Sequence, residues 1–67
     1  MSKVFMFTIA LYDYELDRWK GRVQVFDREG ELISNEDSPL LRKKKGRAIK
    51  DARYIKRHLK RIVNDTI

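Results

Sequence analysis

The chain predicts an α+β domain, a three-stranded antiparallel sheet followed by one long C-terminal helix packed on one face, in the order βββα. Three observations carry this. Two runs, VFMFTIALY and WKGRVQVF, are rich in β-branched and aromatic residues. A turn sequence, DREG, follows the second run and precedes a short apolar stretch, ELIS. From Pro39 to about Asp65 the apolar positions recur with a helical period.

The first strand is expected over about 3–14. Its odd positions are Phe5, Phe7, Ile9 and Leu11, and its even positions are Val4, Met6, Thr8, Ala10, Tyr12 and Tyr14. Both sets are apolar, as in a strand covered on both sides. A domain this small can hardly cover both faces of a sheet by itself. The even face, with Val4, Met6, Tyr12 and Tyr14, is therefore a candidate dimer or partner surface; the alternative is an ordinary half-exposed face carrying tyrosines.

The second strand, about 19–27, sets Trp19, Gly21, Val23 and Val25 on one face and Lys20, Arg22, Gln24 and Phe26 on the other. In DREG, Asp27 suits the first position of a type I turn, and Gly30 supplies the positive φ that follows. The third strand is expected at 31–34. After it, NEDSP reads as a loop ending in a helix start, with Ser38 as cap and Pro39 at the first helical position. The helix begins at 39 or at 47 and runs to about 65. Gly46 leaves the choice open, because glycine costs about 1 kcal/mol inside a helix. On a helical wheel Ala48, Ala52, Ile55, Leu59 and Ile62 fall within about 80° of arc, with Leu41 in phase.

Sixty-seven residues make a single domain, 1–67, with a thin core and stability on the order of a few kcal/mol. The chain has no cysteine, which excludes disulfides, thiolate catalysis and Cys-based zinc binding. One histidine is too few for a His-built metal site, so neither a metal nor another cofactor is expected. The N-terminal apolar run lacks a small-residue cleavage site and is far below the ~18 residues of a membrane span. An intracellular, cytoplasmic protein is the expectation.

The net charge is +6, but its distribution says more. Residues 1–38 hold five basic and eight acidic side chains, net −3; residues 39–67 hold eleven and two, net +9. Such asymmetry points to nucleic acid, an anionic membrane or an acidic protein as partner. Within RKKKGRAIKDARYIKRHLKR (42–61) the only acid is Asp51. On the wheel Lys50, Arg53, Arg57, Lys60 and Arg61 lie opposite the apolar arc, joined by Lys43 if the helix is continuous. A merely solvated face would interleave Glu with Lys at i,i+4. Here Arg53 precedes Arg57, Arg57 precedes Arg61 and Lys56 precedes Lys60, each like pair costing roughly 0.2–0.5 kcal/mol. Lys43, Lys44, Lys45 and Arg47 also sit near the helix N-terminus, the unfavourable end for cations. Internal neutralisation by Glu29, Glu31, Glu36 and Asp37 is the competing reading.

Nucleic acid is the commonest anionic partner for such a face, since cations on it neutralise phosphates and release counterions. Trp19 and Tyr54 are candidates for base stacking, although core or rim packing is the more ordinary role of each. A membrane-surface helix is disfavoured by the narrow, Ala-rich apolar arc. RKKKGR also fits a short nuclear-localisation patch. Catalysis has little support: His58 lies among cations with no nucleophile or carboxylate aimed at it, and the acids of 13–17 and 27–37 read as turn residues.

RVQVFDREGELIS followed by KKKGRAIKDA is similar to the C-terminal part of double-stranded RNA-binding domains. That likeness implies phosphate contacts from Lys43, Lys44, Lys45 and Arg47, with Ala48 and Ala52 facing the sheet; the family's first helix has no counterpart here. WKGRVQVFDREGELIS plus a basic helix also resembles the arm-binding domain of tyrosine recombinases, which lays its sheet in the DNA major groove. It implies DNA contact by Lys20, Arg22 and Gln24. A third likeness, to the small YegP-like domains, rests on DREGELIS and the helix after it, and implies fold and dimerisation. The reading that results is a small, basic, non-enzymatic nucleic-acid-binding protein, with the even face as its candidate homodimer or partner surface. Its rival is a protein-interaction module or inhibitor, of the kind a phage encodes, docking on an acidic protein surface.

Overall fold

The computed structural model describes residues 3–65, and side chains as far as Ile62. Three strands, β1 (Phe5–Asp13), β2 (Arg18–Phe26) and β3 (Leu32–Arg42), precede one helix, α1 (Lys45–Asp65). The strands pair antiparallel in the order β1-β2-β3, and α1 packs across one face. The βββα arrangement expected from the sequence is the one observed.

Both strand connections are built by aspartate. Asp13 Oδ1 accepts the N–H groups of Glu15 and Leu16, and Asp27 Oδ1 accepts those of Glu29 and Glu31. Gly30, at φ +87°, takes the left-handed position that DREG requires. In the first turn Asp17 holds that conformation, at φ 52°, and its carboxylate accepts a hydrogen bond from the Tyr12 hydroxyl.

The register of β1 against β2 pairs Phe5 with Phe26, Thr8 with Val23 and Asp13 with Arg18, without a shift. Even positions of β1 therefore lie beside odd positions of β2 and share the face under the helix. There Val23, Val25 and Ala52 form the core, with Val4, Met6, Ile55 and Leu59 packed against it. This corrects the expectation for the even face: Val4 and Met6 are core-packing residues, Tyr12 stacks beside Trp19 at 5.0 Å, and Tyr14 sits exposed in the turn after the strand. The uncovered face is the odd one, with Phe5, Phe7, Ile9 and Leu11.

Two alanines and one glycine set the helix–sheet distance. A Cβ placed on Gly21 would lie 2.2 Å from the Ala48 carbonyl oxygen and 2.9 Å from the Ala52 nitrogen. Helix backbone thus rests directly on strand backbone, and Ala48 and Ala52 are fully buried. Val23 is the one large side chain of the described residues that is completely buried. The core is as thin as the chain length implies.

The third strand departs from expectation. It does not end at 34 but continues to Arg42, so Ser38 and Pro39 lie inside a strand and do not open a helix. The register shifts between Lys20 and Arg22, where extra β3 residues bulge. The Ser38 hydroxyl, buried at this bulge, accepts the Leu40 N–H. Pro39, lacking a donor, is tolerated because β3 is an edge strand with a bulge. Leu41 pairs with Lys20 and so faces away from the helix instead of joining its apolar arc. The helix starts at Lys45, which puts Gly46 in its first turn, where the N–H groups have no helical partner and a glycine is least costly. Ile62, expected in the apolar arc, is about half exposed.

Candidate nucleic-acid interface

The helix divides as its sequence period requires. Ala48 and Ala52 bear on β2, Ile55 and Leu59 are half-buried, and Lys50, Arg53, Arg57, His58, Lys60 and Arg61 are exposed. Asp51 is the only acid of α1 with a described side chain, and it is already engaged. Arg42, at the end of β3, donates to both its carboxylate oxygens, at 2.7 Å and 3.0 Å. Asp51 therefore turns toward the sheet and leaves the outer face. Among the described residues Glu29, Glu31 and Glu36 form no ion pair with the helix, and Asp37 is occupied elsewhere. Among the described residues Lys50, Arg53, Arg57, Lys60 and Arg61 have no carboxylate partner.

From Lys50 to Arg61 the helix advances about 16 Å, at 1.5 Å per residue. Duplex DNA presents roughly ten phosphate charges over that length, ample for five cations. Tyr54 stands among them, 72% exposed. It is not the core or rim residue that the sequence suggested, and its ring offers a stacking surface beside cations.

The remaining expected contacts fall into separate groups. Lys43 and Lys44 precede the helix in an exposed connection, and the Lys44 carbonyl accepts the N–H groups of Arg47 and Ala48. Lys45 lies 5.6 Å from the Trp19 ring centre, so Trp19 is a half-buried rim residue covered by a cation. Lys43, Lys44, Lys45 and Arg47 continue the run of exposed cations at the N-terminal end of the helix. Lys20 and Arg22 do not belong to it: they lie on the opposite, uncovered side of the sheet.

On that side Asp37 holds both. Its carboxylate is 2.6 Å from Arg22 Nε and 3.1 Å from Lys20 Nζ. The Arg22 hydrogen bonds, with Lys20 assisting, hold the Asp37 carboxyl down to about 2 from an ordinary 3.8. A lowered carboxylate pKa stabilises the fold above the unfolded value and loses that contribution as pH falls toward about 2. At this partly exposed site the contribution is on the order of 1 kcal/mol after allowing for solvent screening. Urea melts of wild type should weaken between pH 4 and pH 2, whereas Asp37→Asn should be less stable at pH 7 and lose less over the same acid range.

The uncovered face is otherwise apolar at one end. Phe7 and Phe26 meet edge to face at 5.6 Å, with Phe5 and Leu32 beside Phe26 in the sheet register. The recombinase resemblance puts Lys20, Arg22 and Gln24 of this face on DNA, but sequence reasoning assigns no role to its aromatic end. The signal that finds it is the strand register, which sets the odd residues of the first strand beside Lys20, Arg22, Gln24 and Phe26.

No family model, curated protein or solved structure matches the chain. Its resemblances are therefore those of strand order and local motif. Among the described residues no helix is long and apolar enough to cross a membrane.

Proposed function

We propose that the protein is a small, non-enzymatic nucleic-acid-binding domain that grips phosphates with the outer face of α1. The observation that carries this is the diversion of Asp51 to Arg42. It leaves the stretch 50–61 of the helix, which already sets like charges at i,i+4, with no free carboxylate among the described residues. Lys50, Arg53, Arg57, Lys60 and Arg61 form the central contact, Tyr54 adds a stacking surface, and Lys43, Lys44, Lys45 and Arg47 extend the contact past the helix N-terminus. Lys20 and Arg22, on the other face and bound by Asp37, are outside this interface.

Fluorescence anisotropy against duplex DNA, duplex RNA and single strands tests the reading. Five phosphate contacts on a duplex imply a slope of log K against log salt of about −4.5, hence roughly a 500-fold loss of affinity between 50 and 200 mM salt. No binding at low salt, or binding indifferent to salt, removes the proposal.

A second reading, docking on an acidic protein, draws support from the exposed Phe5, Phe7 and Leu32, which a protein partner would cover. Capture from lysate before and after nuclease separates the two. Partners that survive nuclease, with no binding to purified nucleic acid, favour the protein.

A further inference from the structure

The two edges of the sheet are unlike. The β3 edge is guarded in several ways that discourage pairing: Pro39, the acids Glu36 and Asp37, and two register irregularities along its length. The β1 edge has none of these. From Phe5 to Tyr12 it contains no charge, no proline and no glycine, and its pairing with β2 is regular throughout. Among the described residues no strand lies on its outer side, so alternate residues direct backbone N–H and C=O groups outward without a strand partner. A long, regular, apolar edge is a template for another strand.

We infer that β1 pairs with β1 of a second copy, antiparallel, to make a continuous six-stranded sheet around a two-fold axis. Charge chooses the occupant. The exposed ends of this segment carry opposite signs, Lys3 at one and Asp13 at the other. Antiparallel self-pairing brings each end against its opposite, whereas parallel pairing would set like against like.

Geometry limits the register. Outward-pointing residues must meet outward-pointing residues, so paired positions share parity. The register that sets Lys3 against Asp13 has its axis at Thr8. It then places Phe5 opposite Leu11 and Phe7 opposite Ile9 on the open face, and Met6 opposite Ala10 beneath the helices. Every internal pair except Thr8–Thr8 is apolar. Residues 5–11, strand in both copies, form about six to eight backbone hydrogen bonds in this register. The guarded β3 edges finish the sheet on each side, so the assembly closes at two copies and does not grow into fibres. Both helices lie on one face and both uncovered faces on the other. The inference rests on the edges alone and stands whether or not α1 binds nucleic acid.

Sedimentation equilibrium and cysteine cross-linking test it together. The chain has no cysteine of its own, so each introduced thiol reports one site. Wild type should sediment at twice 8.1 kDa in the micromolar range, and Phe7→Lys, which adds a charge beside the edge, should shift it to monomer. In the proposed register the two Thr8 Cα atoms lie about 4.5–5.5 Å apart, within disulfide reach. Under mild oxidation Thr8→Cys should therefore cross-link most of the chain. Phe5→Cys, about 20 Å from its symmetry mate at 3.3 Å per residue, should not. Wild type remaining monomeric at high micromolar concentration overturns the inference. So does a dimer in which Thr8→Cys, shown folded by circular dichroism, fails to cross-link, the outcome expected if two open faces stack instead.

Discussion

Gly21→Ala should unfold much of this protein at room temperature. The added methyl meets the Ala48 carbonyl at 2.2 Å and the Ala52 nitrogen at 2.9 Å, and both are backbone atoms that no rotamer change can move aside. The helix must lift away from β2, opening the packing of Val23, Val25, Ala48 and Ala52. Overpacking of a tight core typically costs 1–3 kcal/mol and occasionally more, and contact with backbone belongs at about 3 kcal/mol or beyond. A domain of this length holds only about 3–5 kcal/mol in its core, so the substitution consumes most of its stability. Thermal melts by circular dichroism would show a broad transition at greatly reduced temperature. Gly46→Ala is the control: a Cβ there meets nothing, the residue lies in the first helical turn, and stability should stay level or rise. An unchanged melting temperature in Gly21→Ala would mean that helix and sheet are not seated on each other as described.

The second large effect is expected in binding. Arg53→Glu, Arg57→Glu and Arg61→Glu together should leave the fold intact, because all three side chains are exposed and none has an ion-pair partner among the described residues. Replacing three cations removes about 2.7 from the salt slope of duplex binding, and the introduced acids repel phosphate in addition. Affinity at low salt should fall at least a hundredfold while the melting temperature holds. The control is Lys20→Gln, on the other face of the sheet, which should leave both affinity and salt slope near wild type. Loss of binding in Lys20→Gln equal to that in the triple variant would move the interface from the helix to the sheet.

These two expectations concern opposite faces of the same helix, and both faces are legible in the sequence. The apolar seam at Ala48, Ala52, Ile55 and Leu59 and the opposing cations follow from a 3.6-residue period, which is a local property. The DREG turn was legible for a similar reason: the residue types themselves demand its backbone geometry. The course of 35–42 was not. Ser-Pro ahead of a basic run is also a good helix start, and only pairing with β2 makes this segment a strand. A bulge, a buried Ser38 hydroxyl and an edge position accommodate the proline that would otherwise argue against it.

The sequence by itself determined the order βββα, the turns and the split of the helix into seam and cationic face, since each depends on residues close together in the chain. The tertiary structure decided which face of β1 is covered. Both faces are apolar, so periodicity cannot choose between them; the register does, by setting Val4 and Met6 on the side where Gly21 admits the helix. It also decided that Asp51 serves Arg42 and that Asp37 serves Lys20 and Arg22. These are pairings between charges brought together only by the fold, 9 to 17 residues apart in the chain. With them it settled that the outer face of α1 is left without a carboxylate among the described residues.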